Sequence, residues 1–117
     1  MEDHMNETFS DMLERKLYDM MDYAYDALAQ YPKSEKFAMA ADIKHSMDTL
    51  VHLCEEGLKK YYKKTTLQQL DVEIATLRFY IRLSHKRGWV SDRKYDRWSG
   101  MVDEIGKITG SWIKNQS

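Results

Sequence analysis

Residues 65–89 read TTLQQLDVEIATLRFYIRLSHKRGW, and the reading of this stretch decides the fold. Leu67, Leu70, Ile74, Leu77 and Ile81 recur at alternating steps of three and four, the period of one face of an α-helix. Thr65 and Thr66 each stand three positions before a glutamine, the spacing of a capping box that starts a helix. Gly88 is placed to end it as a left-handed residue, with Trp89 packing behind. The expectation is a helix over residues 66–87 with both ends specified locally.

The same signals extend outward. Ser91 is an N-cap for a helix over residues 92–114, whose seam is Tyr95, Trp98, Val102, Ile105, Thr109 and Trp112. Upstream, Ala40, Ile43, Met47, Leu50, Cys54 and Tyr61 form the seam of a helix over about 35–64, with Ser34 as its cap and Phe37 and Leu58 widening the face. A first helix over about 8–30 carries Leu13, Leu17, Met20, Ala24 and Ala27. It stops at Tyr31-Pro32, because the residue before proline is pushed out of the helical region. Four helices with short connections in one domain over residues 1–117 predict an all-α fold, an antiparallel up-down-up-down four-helix bundle. The composition agrees, with one Pro, five Gly and eight Met.

A formal charge of −1 conceals an asymmetry. Residues 1–58 hold 13 Asp and Glu against 5 Lys and Arg, whereas residues 59–117 hold 13 Lys and Arg against 6 Asp and Glu. A basic half suits a polyanion or an acidic patch on a partner, while opposed helices also neutralise each other. Arg78, Arg82 and Lys86 follow at steps of four with His85 beside them, a ridge along the third helix. Lys59, Lys60, Lys63 and Lys64 crowd one end of that helix, and Arg87, Arg93, Lys94 and Arg97 surround the other. Tyr61, Tyr62, Tyr80, Trp89 and Trp98 interleave with these cations, as base-stacking groups or as core, and the register of Trp98 puts it in the core.

Val72, Phe79 and Leu83, with Thr76 between them, form a second line on the far side of the third helix. In a monomer that line faces water, so it is assigned to a subunit contact, against the plain alternative that exposed apolar residues are common. Gly106 and Gly110 form a small-residue stripe that implies close approach by a neighbouring helix or subunit.

Signs of catalysis are weak. Asp42, His45 and His52 are the nearest approach to a metal set, far short of the paired Glu-x-x-His motifs of a di-iron bundle, so neither metal nor other cofactor is expected. There is no phosphate-binding glycine loop or nucleophile elbow. Cys54 lies in an apolar period and reads as a buried structural thiol. No apolar leader or membrane-length run is present, which points to the cytoplasm.

Three segments carry a resemblance: Tyr31-Pro32-Lys33-Ser34-Glu35-Lys36-Phe37; the Leu77-Arg78 to Arg82-Leu83 segment running into Gly88-Trp89; and Asp103-Glu104-Ile105-Gly106 through Gly110-Ser111-Trp112-Ile113. Over about residues 18–114 the chain resembles the four-helix-bundle family of Avd, the accessory variability determinant of diversity-generating retroelements. That family is shared with proteins of ribosomal RNA intervening sequences. The resemblance implies a barrel-shaped homopentamer without catalytic activity, which associates with the retroelement reverse transcriptase and binds template RNA during mutagenic retrohoming. Arg78 and Arg82 match the family's basic positions in the third helix, and Lys86 and Arg87 lie where it tends to be basic. Avd proteins are strongly basic overall; the acidic first half here suggests a docking surface for a basic polymerase. The alternatives are an intervening-sequence-type protein and a purely structural or protein-binding oligomer.

Overall fold

The computed structural model describes the backbone of residues 2–116 and the side chains of residues 8–116. Four helices follow one another: α1 (Glu2–Leu28), α2 (Met39–Lys59), α3 (Lys64–Lys86) and α4 (Asp92–Lys114). Each packs against two others, α1 on α2 and α4, and α3 on α2 and α4, while the backbones of the diagonal pairs stay apart among the described residues. Short connections make sequential neighbours antiparallel, so the result is a four-helix bundle, a rod of 48 × 24 × 19 Å. No strand occurs among the described residues.

The core is built from the seams. Leu13, Met20, Ile43, Met47, Leu50, Leu67, Leu70, Ile74, Leu77 and Ile81 are buried, and Trp98 and Trp112 fill opposite ends of α4 at 0 % exposure. Burying each large apolar side chain stabilises the bundle by about 1.5–3 kcal/mol relative to leaving it in water. Trp112 stacks on Phe9 with ring centroids 6.2 Å apart. It also reaches the end of α2, where buried Gly57 leaves room for Leu67; a Cβ there would sit 3.1 Å from the leucine methyl.

The α3–α4 turn follows its local chemistry. Gly88 has φ of 82°, its N–H donates to the carbonyl of His85 at 3.0 Å, and the N–H of Trp89 donates to Ser84 at 3.0 Å. This pair of bonds is the Schellman arrangement that closes a helix end. The Ser91 hydroxyl accepts from the N–H of Lys94 at 3.2 Å and caps α4.

The other boundaries differ from expectation. Helix α1 begins at Glu2 rather than near Thr8. Helix α2 does not start at Ser34: a 3-10 turn over Lys33–Glu35 follows Pro32, and Ala38, with φ −120° and ψ −103°, breaks the path before Met39. The Glu35 carboxylate accepts from the N–H of Met39 at 3.4 Å, and Phe37, out of helical register, is 89 % exposed instead of widening the core. Helix α2 also ends at Lys59, not Lys64, because Lys60 adopts an extended conformation. The ammonium of Lys63 folds back onto the carbonyls of Leu58 and Lys60 and satisfies the end of the helix. Tyr61 consequently leaves the seam and is 87 % exposed. The expected capping box is absent: no side chain caps α3, and the Thr66 hydroxyl donates to Glu56 at 3.1 Å instead.

Candidate nucleic-acid and partner interface

Helix α3 sets the geometry of the site. Its buried seam faces α2 and α4, which turns Arg82 and Lys86 to the outside, exposed. Arg78, one turn before Arg82, leans toward α4, where its Nε lies 3.3 Å from the Asp103 carboxylate. Its guanidinium lies across Gly106, where an added Cβ would collide with it. The close approach at Gly106 is therefore made by a side chain of α3, and a Cβ added at Gly110 would meet no neighbouring element within 4 Å. Arg78 joins two helices and is half-buried, whereas Arg82 is exposed with its guanidinium 5.7 Å from the centre of the Phe79 ring.

Farther along, the His85 Nε2 is 2.6 Å from Asp92, and its ring stacks on Tyr95 with centroids 4.2 Å apart. Arg87 lies over Trp89 at 5.6 Å. The ridge thus divides into two groups held by carboxylates of α4, Arg78 and His85, and three exposed cations, Arg82, Lys86 and Arg87, of which Arg82 and Arg87 each lie over an aromatic ring.

The lysine cluster at the opposite end divides similarly. Lys59 and Lys64 are exposed. Lys60 pairs with Glu56 at 3.2 Å and donates to Thr66 at 3.3 Å, while Lys63 is 8 % exposed. The Glu56 carboxyl is held below its ordinary range by hydrogen bonds from Lys60 and then Thr66, with the charges of Lys60 and His52 adding to the effect.

The second line of α3 lies open: Val72 is 66 % and Phe79 55 % exposed, with Leu83 half-buried. A second apolar feature escaped the sequence reading. Between α1 and α2 runs a groove of about 450 Å³ lined by Leu17, Tyr18, Met21, Tyr25, Val51 and Cys54, with Glu14, Asp22 and Glu55 on its rim. Its signal was present, since Tyr18, Met21 and Tyr25 repeat at steps of three and four beside the core seam of α1. Lys44 lies over the Tyr25 ring at 5.4 Å.

Cys54 sits at the groove floor, 1 % exposed. Burial, then the charges of Glu14 and Glu55, push its thiol up to about 12, so it remains protonated at neutral pH and is a poor nucleophile. Asp42, His45 and His52 are exposed on α2, and His52 lies 3.6 Å from Glu56. Among the described residues, no three His, Cys, Asp or Glu side chains gather as metal ligands. No helix among them is long and apolar enough to cross a membrane.

No curated protein matches the chain significantly. The model of one family, described as bAvd-like, matches residues 11–116 and so takes in all but the first turns of α1 and the C-terminal residue. With that match spanning nearly the whole bundle, the chain belongs to the bAvd-like family.

Proposed function

We propose that this protein is a non-catalytic accessory subunit of a diversity-generating retroelement, holding the reverse transcriptase on its template RNA during mutagenic cDNA synthesis and retrohoming. The family match over residues 11–116 carries this reading. It is supported by the exposed cations Arg82 and Lys86 along α3 and Lys59 and Lys64 at its start. These are positioned to meet phosphates, with counterion release supplying affinity that falls with salt. Arg87 adds to that surface, while Arg78, His85, Lys60 and Lys63 hold its shape. The chain works in the cytoplasm as one bundle unit, with no cofactor.

The working form is a homopentameric barrel. Val72, Phe79 and Leu83 of one copy seat in the acidic-rimmed groove between α1 and α2 of the next. Both features span three turns of helix, roughly 16 Å. Such a head-to-tail contact uses different surfaces on the two copies and closes into a ring. Phe79→Asp with Leu83→Asp is expected to reduce the mass measured by light scattering to that of a monomer with helicity retained. An unchanged mass would remove this line from the interface.

The test of the functional reading is purification of the tagged protein from its native host, with bound protein identified by mass spectrometry and bound RNA by sequencing. A reverse transcriptase together with one structured non-coding RNA is the expected result. Ribosomal RNA precursors without a polymerase would favour an intervening-sequence role, and neither partner would favour a structural oligomer.

A further inference from the structure

Tyr61 and Tyr62 are 87 % and 85 % exposed, adjacent in sequence, with ring centroids 4.8 Å apart at 84°. Of the aromatic residues interleaved with the basic half, Trp98 is buried and Tyr80 and Trp89 are packed against the core; only this pair points fully to solvent. The backbone accounts for it. Lys60 turns the chain out of α2 in an extended conformation, and Lys63 is drawn inward to cap the carbonyls behind it. The intervening residues are thereby pushed outward as a short ledge.

The surroundings of the ledge are polar and cationic. Its exposed neighbours in the chain are Lys59, Lys60, Lys64 and Thr65. The Glu56 carboxylate at the end of α2 is already engaged by Lys60 and Thr66. The first turn of α3 bears no acidic residue of its own and no side-chain cap. An aromatic anchor for a protein partner sits among apolar groups that exclude water. Two rings rimmed by lysines suit a ligand that alternates flat faces with negative charge.

We propose that Tyr61 and Tyr62 form a stacking platform for unpaired bases of single-stranded RNA, with Lys59 and Lys64 meeting the flanking phosphates. This rests on the reading of the protein as an RNA adaptor and adds a preference to it. The arginine ridge takes phosphates of any nucleic acid, whereas the ledge selects strands whose bases are free to stack.

The test uses the full chain in its native assembly and fluorescence anisotropy with two probes, an oligouridine of about ten nucleotides and a duplex of the same length. Wild-type protein is expected to prefer the single strand. Tyr61→Ala with Tyr62→Ala is expected to weaken single-strand binding by at least about tenfold while leaving duplex binding and the salt slope unchanged. Tyr61→Phe with Tyr62→Phe keeps the ring faces and should bind as wild type. Equal single-strand affinity for wild type and the alanine pair would overturn the platform and leave the adaptor reading standing. Wild-type protein that binds neither probe would overturn both. Loss of oligomer mass in the alanine pair by light scattering, with RNA affinity per subunit unchanged, would make the ledge a subunit contact and overturn the platform.

Discussion

At the Gly88 end of α3, Arg87 lies over Trp89 and Arg97 over Tyr23, so aromatic rings lie inward and cations cover them. At the other end, residues 60–63 reverse the arrangement: Lys63 is buried and Tyr61 and Tyr62 face water. The two turns carry similar charge. They differ in how the backbone is closed, by a left-handed glycine and a serine cap at one end and by a buried lysine at the other. The glycine turn satisfies its carbonyls from its own backbone and leaves side chains free to pack. The lysine turn uses a side chain to do that work, and its neighbours are displaced to the surface. The number of cations in a segment therefore says little about what the segment offers a partner.

Four substitutions sharpen or break that contrast. Lys63→Met removes the donor that closes α2 and leaves two carbonyls without it, so a loss of about 1–3 kcal/mol in chemical denaturation is expected. Unchanged stability would show that water serves the turn equally well. Gly88→Ala meets no obstacle within 4 Å, so its cost is that of a left-handed backbone alone, about 1–2 kcal/mol. Ser91→Ala removes the α4 cap and is expected to cost about 1 kcal/mol. If Lys63→Met proves milder than Ser91→Ala, the lysine does not close its turn as described.

The smallest effect is the pH dependence that the lysine turn contributes. The Glu56 carboxyl titrates below its ordinary 4.5 in the folded chain. A depressed carboxylate contributes stability that is full above the unfolded value and is lost as pH falls through the folded one. Comparing thermal melts of the wild type and Glu56→Gln across the acid range should show a downward drift that is steeper in the wild type, since the Lys16-paired Glu104 carboxyl is also held low in both. Parallel melts across that range would exclude Glu56 as a contributor.

The contrast between the two turns also explains what could be read from the sequence. The Gly88-Trp89 turn and the Ser91 cap depend on backbone preferences within a few residues, so they are visible in the residues alone. The seams of all four helices are equally visible, because a buried face repeats at the helical period. The α2–α3 turn is not, since Lys63 closes it by folding back onto carbonyls and Thr66 abandons its capping role for Glu56, an acceptor on α2. The division of the basic ridge was hidden for the same reason. Arg78 and Arg82 occupy equivalent steps of one helix, yet Asp103 and Gly106 on α4 engage only the first. The groove between α1 and α2 was legible as a second period in α1 and was overlooked beside the stronger core seam.

In the proposed role, exposed cations on α3 let the bundle support a polymerase on its RNA. That role is tested most directly by reconstituting cDNA synthesis from the retroelement reverse transcriptase and its template RNA with no added subunit, with the wild type, and with Arg82→Glu/Lys86→Glu. Both residues are exposed, so the variant should keep its helicity; its oligomer mass is measured in parallel, because Arg82 also borders the proposed subunit contact. The account predicts cDNA with the wild type only. Synthesis that proceeds equally without the protein, or equally with the charge-reversed variant, would contradict it.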